Sequence, residues 1–137
     1  MNYLLDTNVI SELMRQKPNH SVIALLSQTD MNSLYLSVLS IGEIRKGIEK
    51  VLDPKRKQKM ALWLEQEIPH KFHNRILPIN LAVADRWGRL QHQTKRSLSA
   101  IDSLIAATAL HHDMTLVTRN TKDFCDCAGL EVLNPWI

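Results

Sequence analysis

The chain has 137 residues, a length typical of one domain with its own hydrophobic core. Its composition, 45% hydrophobic and 23% charged, is ordinary for a soluble globular protein. No apolar run approaches the roughly 20 residues of a membrane span, and the N-terminus lacks the basic and long apolar segments of a signal peptide. We therefore expect a cytoplasmic protein that does not associate with membranes.

Basic residues exceed acidic ones by 17 to 14, for a net charge of +3. This excess is too small to indicate nucleic-acid binding by itself. The densest basic run lies at residues 55–59, and Lys95 and Arg96 form a second pair. A solvated helix face accounts for such a run as well as a polyanion-binding surface does.

The only cysteines are Cys125 and Cys127, separated by one residue. Two cysteines do not make a disulfide framework. His111 and His112 lack any zinc-ligand spacing to them. We interpret the cysteines as ordinary thiols in a short loop.

Strand-like and helical segments alternate along the first half of the chain. In order they are a strand at Tyr3–Leu5, a helix from Val9 that stops before Pro18, a helix at residues 22–26, a strand at residues 34–36, a helix that starts at Ser40, and a helix that starts at Asp53-Pro54.

The same alternation continues through the second half. In order come a strand at residues 76–79, a helix that starts at Asn80, a strongly apolar helix that starts at Ser99, a strand at residues 115–118, and a last strand at residues 131–133. Pro78 predicts an edge position for its strand because proline cannot donate to a neighbouring strand. The alternation predicts an α/β fold with a parallel sheet.

Four acidic residues lie near the carboxyl ends of these predicted strands. Asp6 directly follows the first strand, Glu43 follows the second by a short turn, and Asp123 follows the strand at residues 115–118. Asp102 starts the helix that leads into the strand at residues 115–118. Because this helix is antiparallel to the strand, its start lies at the same edge of the sheet as the carboxyl end of the strand. Four carboxylates that converge repel one another unless a divalent cation is present. The pattern predicts a metal-dependent enzyme.

Each acid alone also has a purely structural explanation. Three of them lie in patterns that resemble capping boxes: Ser40-x-x-Glu43, Ser99-x-x-Asp102 and Asn120-x-x-Asp123. Acids in the first turn of a helix are favoured by the helix dipole. The capping and catalytic interpretations are compatible, because the same dipole keeps a carboxylate ionised for a metal.

Small hydroxyl and amide residues flank the acids: Thr7, Asn8, Thr118 and Asn120. They could orient the carboxylates or hold metal-bound water, and capping or turn formation is the alternative. Arg119 lies beside the predicted acidic edge. It could bind a phosphate or form a structural ion pair with an acid.

Four segments together resemble the PIN-domain ribonucleases. They are LLDTNVISE at residues 4–12, SIGEIRKGI at 40–48, DSLIAATA at 102–109 and LVTRNTKDF at 116–124. The closing VLNPW at residues 132–136 resembles the VapC and FitB-like toxin branch of that family. Each motif is weak alone, but the resemblance spans the whole chain in order.

The resemblance implies a single PIN-like nuclease domain over residues 1–137, with a parallel sheet of about five strands flanked by helices. It implies an endoribonuclease in which Asp6, Glu43, Asp102 and Asp123 are the catalytic acids and bind Mg²⁺ or Mn²⁺. It also implies a toxin of a toxin–antitoxin pair, with a small cognate antitoxin as its partner. Toxins of this branch typically form homodimers, and operator DNA is bound only through the antitoxin.

Two positions depart from the family pattern. Residues 95–98 read Lys-Arg-Ser-Leu where the family often has Gly and Pro, which leaves the shape of this loop and its substrate contacts open. His112-Asp113 stands where a Gly often follows the apolar helix. Aspartate adopts the left-handed conformation of a helix end less readily than glycine, but it does adopt it.

The expected chemistry is metal-assisted hydrolysis of a phosphodiester, which leaves a 5′-phosphate and a 3′-hydroxyl. One alternative is a non-catalytic RNA- or partner-binding relative, which would be expected to have lost an acid. Another is a phosphoacceptor signalling domain, but the strand at residues 34–36 ends in Ser37-Val38 rather than an aspartate. The sequence does not identify the RNA, or exclude DNA, or give the number of metal ions.

A homodimer is also suggested by an excess of apolar side chains in two helical segments. These are Val22, Ile23, Leu26, Met60 and Trp63. They are more than two helices need to cover one side of a small sheet, so some could form an interface. Simple filling of the core is the alternative.

Overall fold

The computed structural model of the chain describes residues 1–94 and 98–137. Strands in these ranges are β1 (Tyr3–Leu5), β2 (Leu34–Ser37), β3 (Ile76–Leu77), β4 (Thr115–Val117) and β5 (Val132–Leu133). Helices are α1 (Thr7–Glu12), α2 (His20–Gln28), α3 (Val38–Glu49), α4 (Pro54–Leu62), α5 (Ile68–Lys71), α6 (Leu81–Gln93) and α7 (Ala100–His111). Short 3₁₀ turns lie at Met31–Ser33 and Thr121–Phe124. The basic pair Lys95–Arg96 lies outside the described residues.

The five strands form one sheet in the order β3-β2-β1-β4-β5, and every neighbouring pair is parallel. This confirms the predicted α/β fold with a five-stranded parallel sheet. The strand before Pro78 lies at one edge of the sheet, as its proline predicts.

The strand order reverses direction beside β1. The chain passes from β1 outward to β2 and β3, and then returns to place β4 on the other side of β1. Such a reversal leaves a crevice between the carboxyl ends of the two strands that flank it, which is where open α/β sheets place their ligand sites. The residues that follow β1 and β4, Asp6 and Thr118, border this crevice.

Helices cover both faces of the sheet. Leu5, Leu36 and Val117 pack with residues of α1 to α5 in one buried cluster. Leu4 and Leu116 pack with residues of α6 and α7 in the other. Successive strand residues point to opposite faces, so a strand as short as β1 contributes to both clusters and reads as a continuous apolar run.

Several helix ends match the sequence prediction. Asp53, Asn80 and Ser99 each cap a helix through a side-chain oxygen that accepts a backbone N–H. At the end of α7, Asp113 adopts a left-handed φ of 54°, and the N–H of Met114 donates to the carbonyl of Ala109 over 2.8 Å. Aspartate therefore terminates this helix in the conformation that glycine usually supplies.

Two predicted helix boundaries were wrong. The helix after β2 begins at Val38, and its cap is Ser37, whose hydroxyl accepts the N–H of Leu39. Ser40 is fully buried inside that helix and does not start it. The first helix ends at Glu12 rather than running towards Pro18.

The segment from α4 to α5 is nearly continuous, with a π-helical turn at Trp63–Glu67 between them. Pro69 follows this turn and lacks the N–H that a regular helix would donate to the carbonyl four residues earlier. The predicted helix therefore extends through Leu64, as expected, but with a widened turn.

Over the ranges that the structure describes, no helix combines the length and apolarity needed to cross a membrane. Cys125 is exposed, Cys127 is buried, and both are free thiols.

Candidate active site

Asp6 lies at the crevice between β1 and β4, with only 4% of the residue exposed. Its Oδ1 accepts the backbone N–H of Thr7 over 2.7 Å, which caps α1. Its Oδ2 accepts the hydroxyl of Thr118 over 2.8 Å and, more weakly, the amide of Asn8 over 3.4 Å. The side chain is thereby fixed between the two strands that flank the topological reversal.

Burial raises the pKa of the Asp6 carboxyl above its ordinary value of 3.8. The hydrogen bonds from Thr118 and Thr7 oppose this rise, because they stabilise the charged form. The negative charges of Asp102 and Glu43 reinforce it. Three of the predicted acids therefore interact at this point.

Asp102 occupies the first turn of α7 and is partly buried. Its backbone N–H donates to the hydroxyl of Ser99 over 3.1 Å, so the predicted cap at Ser99 is confirmed. Burial raises the pKa of the Asp102 carboxyl, and the charges of Glu43 and Asp123 add to the rise, against a hydrogen bond with Ser99. Through its interaction with Asp102, Asp123 joins the other three acids in one electrostatically coupled group.

Glu43 lies in the second turn of α3, not at a helix start as the sequence predicted. Its Oε1 accepts the hydroxyl of Thr7 over 2.6 Å, and the oxygen of Thr7 lies 2.9 Å from the hydroxyl of Ser40. Because Thr7 has one hydroxyl proton, Ser40 donates to Thr7 while Thr7 donates to Glu43. The predicted capping box at Ser40 and Glu43 was wrong, since Ser40 serves this network instead.

Asp123 lies in the 3₁₀ turn after β4, and its side chain is exposed. Asn120 makes no side-chain cap at this turn; its backbone carbonyl accepts the N–H of Asp123 over 3.0 Å. The predicted capping box at these two residues was therefore wrong as well. The turn still brings Asp123 close enough for its charge to act on Asp102.

The flanking hydroxyl and amide residues contact the acids unequally. Thr7, Asn8 and Thr118 each hydrogen-bond a carboxylate through the side chain. The amide of Asn8 also bonds the Thr118 oxygen over 3.2 Å, which ties the two strand ends together. Asn120 contributes through its backbone: its N–H donates to the Thr118 oxygen over 3.1 Å, and its carbonyl accepts the N–H of Asp123.

Among the described residues, Arg119 does not form the structural ion pair that was one of its two predicted roles. Its guanidinium carbon lies 5.2 Å from the centre of the Trp136 ring. Its backbone N–H donates to Asn8 Oδ1 over 3.3 Å, next to the Asp6 carboxylate. The arginine is thus attached to the site through its backbone, while its side chain packs on an aromatic ring.

The donor chemistry of the four acids fits a hard divalent cation, which prefers oxygen ligands. None of the four pairs with a cation among residues 1–94 and 98–137, where the ion pairs join other residues. In those same ranges, however, no three acidic, histidine or cysteine side chains already stand in an arrangement that could hold a metal ion. The charge of the site fits a metal, and a closed ligand set requires the side chains to move closer together.

An apolar groove of about 820 Å³ is lined by none of the four acids. Ile23 and Leu26 of α2 line one side of it, and Trp63 and Ile68 line another. Arg15, Lys59 and Lys71 also line it, against a single acid, Glu67. The groove is therefore apolar with an excess of positive charge, the opposite character to the acidic site.

Sequence reasoning missed the contributions of Ser40 and Trp136. Ser40 lies one helical turn before Glu43, so the two share a helix face, and that spacing was the available signal. Trp136 lies 17 residues after Arg119, and only the sheet pairing of β4 with β5 brings them together. No local pattern signals that contact.

Comparison with known proteins identifies what the chain is similar to. The family described as PIN domain matches residues 3–130. Toxin FitB of Neisseria gonorrhoeae is 40% identical over 136 residues, which cover 97% of each chain. VapC ribonuclease Y4jK of Sinorhizobium fredii is 37% identical over 136 residues, which cover 97% of this chain and 96% of the relative.

Solved structures give the same result. The crystal structure of FitAcB from Neisseria gonorrhoeae superposes with a TM-score of 0.91 at 39% identity and covers 98% of both chains. A toxin–antitoxin complex from Klebsiella pneumoniae superposes with a TM-score of 0.71 at 28% identity, also over 98% of both chains. The similarity therefore extends over nearly the whole chain in sequence and in fold.

Proposed function

The chain belongs to the PIN-domain family, and we propose that it is a metal-dependent endoribonuclease that acts as the toxin of a toxin–antitoxin pair. The observation that carries this proposal is the buried carboxylate of Asp6 at the strand-order reversal, under the charge of Glu43 and Asp102. The ribonuclease and toxin names of relatives at 37% and 40% identity support it. Family membership also argues against a phosphoacceptor domain.

The residues that would hold Mg²⁺ or Mn²⁺ are Asp6, Glu43, Asp102 and Asp123. When bound, such an ion supplies an activated water and neutralises the charge that develops on the phosphate. The exposed side chain of Asp123 can rotate towards the fixed carboxylate of Asp6, whereas Glu43 is held by the hydroxyl of Thr7. The chain thus provides two oriented carboxylates, those of Asp6 and Glu43, and a movable one at Asp123.

Hydrogen bonds set the orientation of the acids before any substrate arrives. Oδ1 of Asp6 accepts the N–H of Thr7 and keeps a lone pair for a cation, while Oδ2 accepts Thr118 and, more weakly, Asn8. The hydroxyl of Thr7 holds Glu43 in the same way. Loss of such hydrogen bonds to metal ligands commonly lowers metal affinity or activity by about 10- to 100-fold.

The raised pKa of the Asp6 carboxyl supports a role beyond capping. Burial and neighbouring negative charge both raise the pKa of this carboxyl, so the folded protein resists its ionisation. A simple cap gains nothing from such neighbours, because like charges destabilise the fold. A cation bound to the ionised carboxylate would offset the free-energy cost of its burial and of the neighbouring negative charges, as expected for a functional site.

We also propose a small antitoxin as partner, and the groove at α2 as its docking surface. The exposed Ile23 and the partly buried Leu26 offer apolar contacts, and Lys59 and Lys71 add positive charge. The occupant that fits is a segment with apolar side chains and acidic residues. A structural neighbour at 28% identity is a toxin–antitoxin complex, which supports a partner of this class.

A homodimer remains a prediction. Val22 and Trp63, two of the five residues on which it rests, are buried in the core. Ile23 and Leu26 line the groove assigned to the antitoxin, so a dimer that coexists with that partner must use other surfaces. Light scattering across the micromolar range tests the oligomeric state.

Cleavage of end-labelled RNA by the purified protein tests the proposed activity. Cutting is expected with Mg²⁺ or Mn²⁺, to be lost in excess EDTA, and to leave 5′-phosphate and 3′-hydroxyl ends. Undiminished cutting in EDTA, or cyclic-phosphate ends, would contradict the metal-dependent mechanism. A single-stranded DNA of the same sequence serves as the substrate control.

A further inference from the structure

Arg119 is fixed at the border of the acidic site by its own backbone. It follows Thr118, whose hydroxyl bonds Asp6, and its N–H donates to Asn8, whose amide bonds the same carboxylate. Two hydrogen bonds therefore separate the backbone of Arg119 from the carboxylate of Asp6. The backbone of Arg119 therefore belongs to the group of residues that borders Asp6.

The guanidinium of Arg119 is held by an aromatic ring rather than by an acid. It lies over Trp136, with 5.2 Å from its central carbon to the ring centre. The residue is exposed, and no described carboxylate pairs with it. A guanidinium over an aromatic ring keeps its charge, and with five N–H donors it can still donate to another group.

The C-terminal segment fixes both partners of this stack. The N–H of Trp136 donates to Asn134 Oδ1 over 2.9 Å, and the amide of Asn134 lies 3.4 Å from the carbonyl of Arg119. Trp136 also packs against the buried cluster on the α1–α5 side of the sheet. The arginine is thus oriented from its backbone and from its ring partner.

We propose that Arg119, oriented by Trp136, binds a backbone phosphate of the RNA adjacent to the scissile one. This inference rests on the proposed ribonuclease function and assigns a substrate-positioning residue to it. An acidic site repels the RNA backbone, so binding requires a cation at its border that the acids do not neutralise. A preoriented guanidinium also loses less conformational freedom when it binds a phosphate through two N–H groups.

The salt dependence of RNA binding measures the contact directly. Binding of a fluorescent single-stranded RNA is followed in the Asp6→Asn background, where the substrate stays intact. Adding Arg119→Gln is expected to weaken binding about tenfold at low salt. It should also reduce the slope of log K against log salt by about 0.7, the value for one phosphate contact on a single strand.

Two substitutions separate this contact from a general loss of charge. Arg86→Gln removes an exposed arginine on α6, outside the site and outside the basic run at residues 55–59, and should leave the slope unchanged. Arg119→Lys keeps the charge but not the flat guanidinium, so the slope should be retained while affinity falls. Equal slopes for Arg119→Gln and Arg86→Gln would overturn the proposal.

Cleavage kinetics distinguish positioning from a structural role. In the otherwise unchanged protein, Arg119→Gln should raise KM about tenfold and change kcat by less than about twofold. Trp136→Phe should behave like the parent, and Trp136→Leu should raise KM with a retained salt slope. A fall in kcat at constant KM, or a loss of melting temperature that accounts for the defect, would overturn the assignment.

The same experiments keep the two proposals apart. If the parent protein cleaves RNA and Arg119→Gln has no effect on KM or slope, only the assignment of Arg119 fails. If the protein binds RNA with an Arg119-dependent slope but does not cut it, the nuclease proposal fails and the binding assignment stands. If it neither binds nor cuts RNA, both are overturned.

Discussion

The hydroxyl of Thr7 lies 2.6 Å from Glu43 Oε1, while the backbone N–H of the same residue lies 2.7 Å from Asp6 Oδ1. One residue therefore contacts two acids that belong to different elements, the end of β1 and the second turn of α3. Ser40 completes the contact from inside α3. The relative placement of Asp6 and Glu43 depends on this residue.

Replacing Thr7 with valine tests that dependence. Thr7→Val has nearly the same shape but no hydroxyl, so Glu43 loses its donor while the backbone bond to Asp6 remains. We expect cleavage to fall by about 10- to 100-fold, as for other residues that orient metal ligands. Thr7→Ser should retain most of the activity, and equal activity of Thr7→Val and the parent would show that the hydroxyl is dispensable.

Asp6→Asn should abolish RNA cleavage without unfolding the protein. The amide oxygen can still accept the N–H of Thr7, so the cap of α1 survives. The charged ligand is lost, and with it the rise in melting temperature that we expect Mn²⁺ to confer by binding the native state. Cleavage assays and melting curves with and without Mn²⁺ provide the measurement.

Asp85→Asn is the matched control for this experiment. Asp85 is exposed on α6 and pairs with Arg89 one turn away over 3.3 Å, a surface contact of small energetic value. Parent-like cleavage and Mn²⁺ response are expected for it. Parent-like cleavage by a folded Asp6→Asn protein would remove Asp6 from the mechanism.

The fold was predictable because its signals are local. Alternating apolar strands and capped helices predict the parallel α/β sheet, and Pro78 marks its edge strand. The end of α7 at Asp113 was also predictable, because aspartate is one of the few residue types other than glycine that adopt the left-handed conformation. The position of all four acids near one edge then follows from the topology of parallel strands.

The arrangement inside the site was not predictable in the same way. Ser37 and Ser40 are both reasonable caps for α3 by sequence, and the choice between them depends on how β2 meets the helix. The contact of Arg119 with Trp136 depends on the pairing of β4 with β5. Such contacts depend on tertiary packing, and local patterns in a single sequence do not predict them.

Placing a charge in the apolar groove tests the antitoxin surface. Ile23 is 40% exposed and lines the groove, so Ile23→Asp should fold and cleave RNA normally. Its acid would repel the acidic segment that we expect there, so antitoxin binding and inhibition should weaken by at least about tenfold. Calorimetry with the product of a neighbouring small gene measures this, and Leu81→Asp on α6, at a residue 88% exposed, is the control.

Two carboxyls of the site should make the stability of the metal-free protein fall as pH rises. The pKa values of Asp6 and Asp102 lie above the ordinary value of 3.8 in the folded state, mainly because of burial. Between the unfolded and folded pKa values, the folded state holds protons that the unfolded state has released. The contribution of these groups is therefore fully present below a pH of 3.8 and is lost as pH rises through their folded pKa values.

Asp102→Asn turns this linkage into a test of the capping and catalytic interpretations. In EDTA, urea unfolding should show the variant gaining stability relative to the parent between pH 4 and pH 7, because it has no charge to repel Glu43 and Asp123. With Mn²⁺ the order should reverse, because we expect the parent to bind the ion more tightly, and RNA cleavage by the variant should vanish. If Asp102 only assists the cap at Ser99, the variant should instead lose a constant amount, about 0.5 to 1 kcal/mol, at every pH. An unchanged Mn²⁺ shift together with intact cleavage would then show that Asp102 is a structural residue outside the catalytic group.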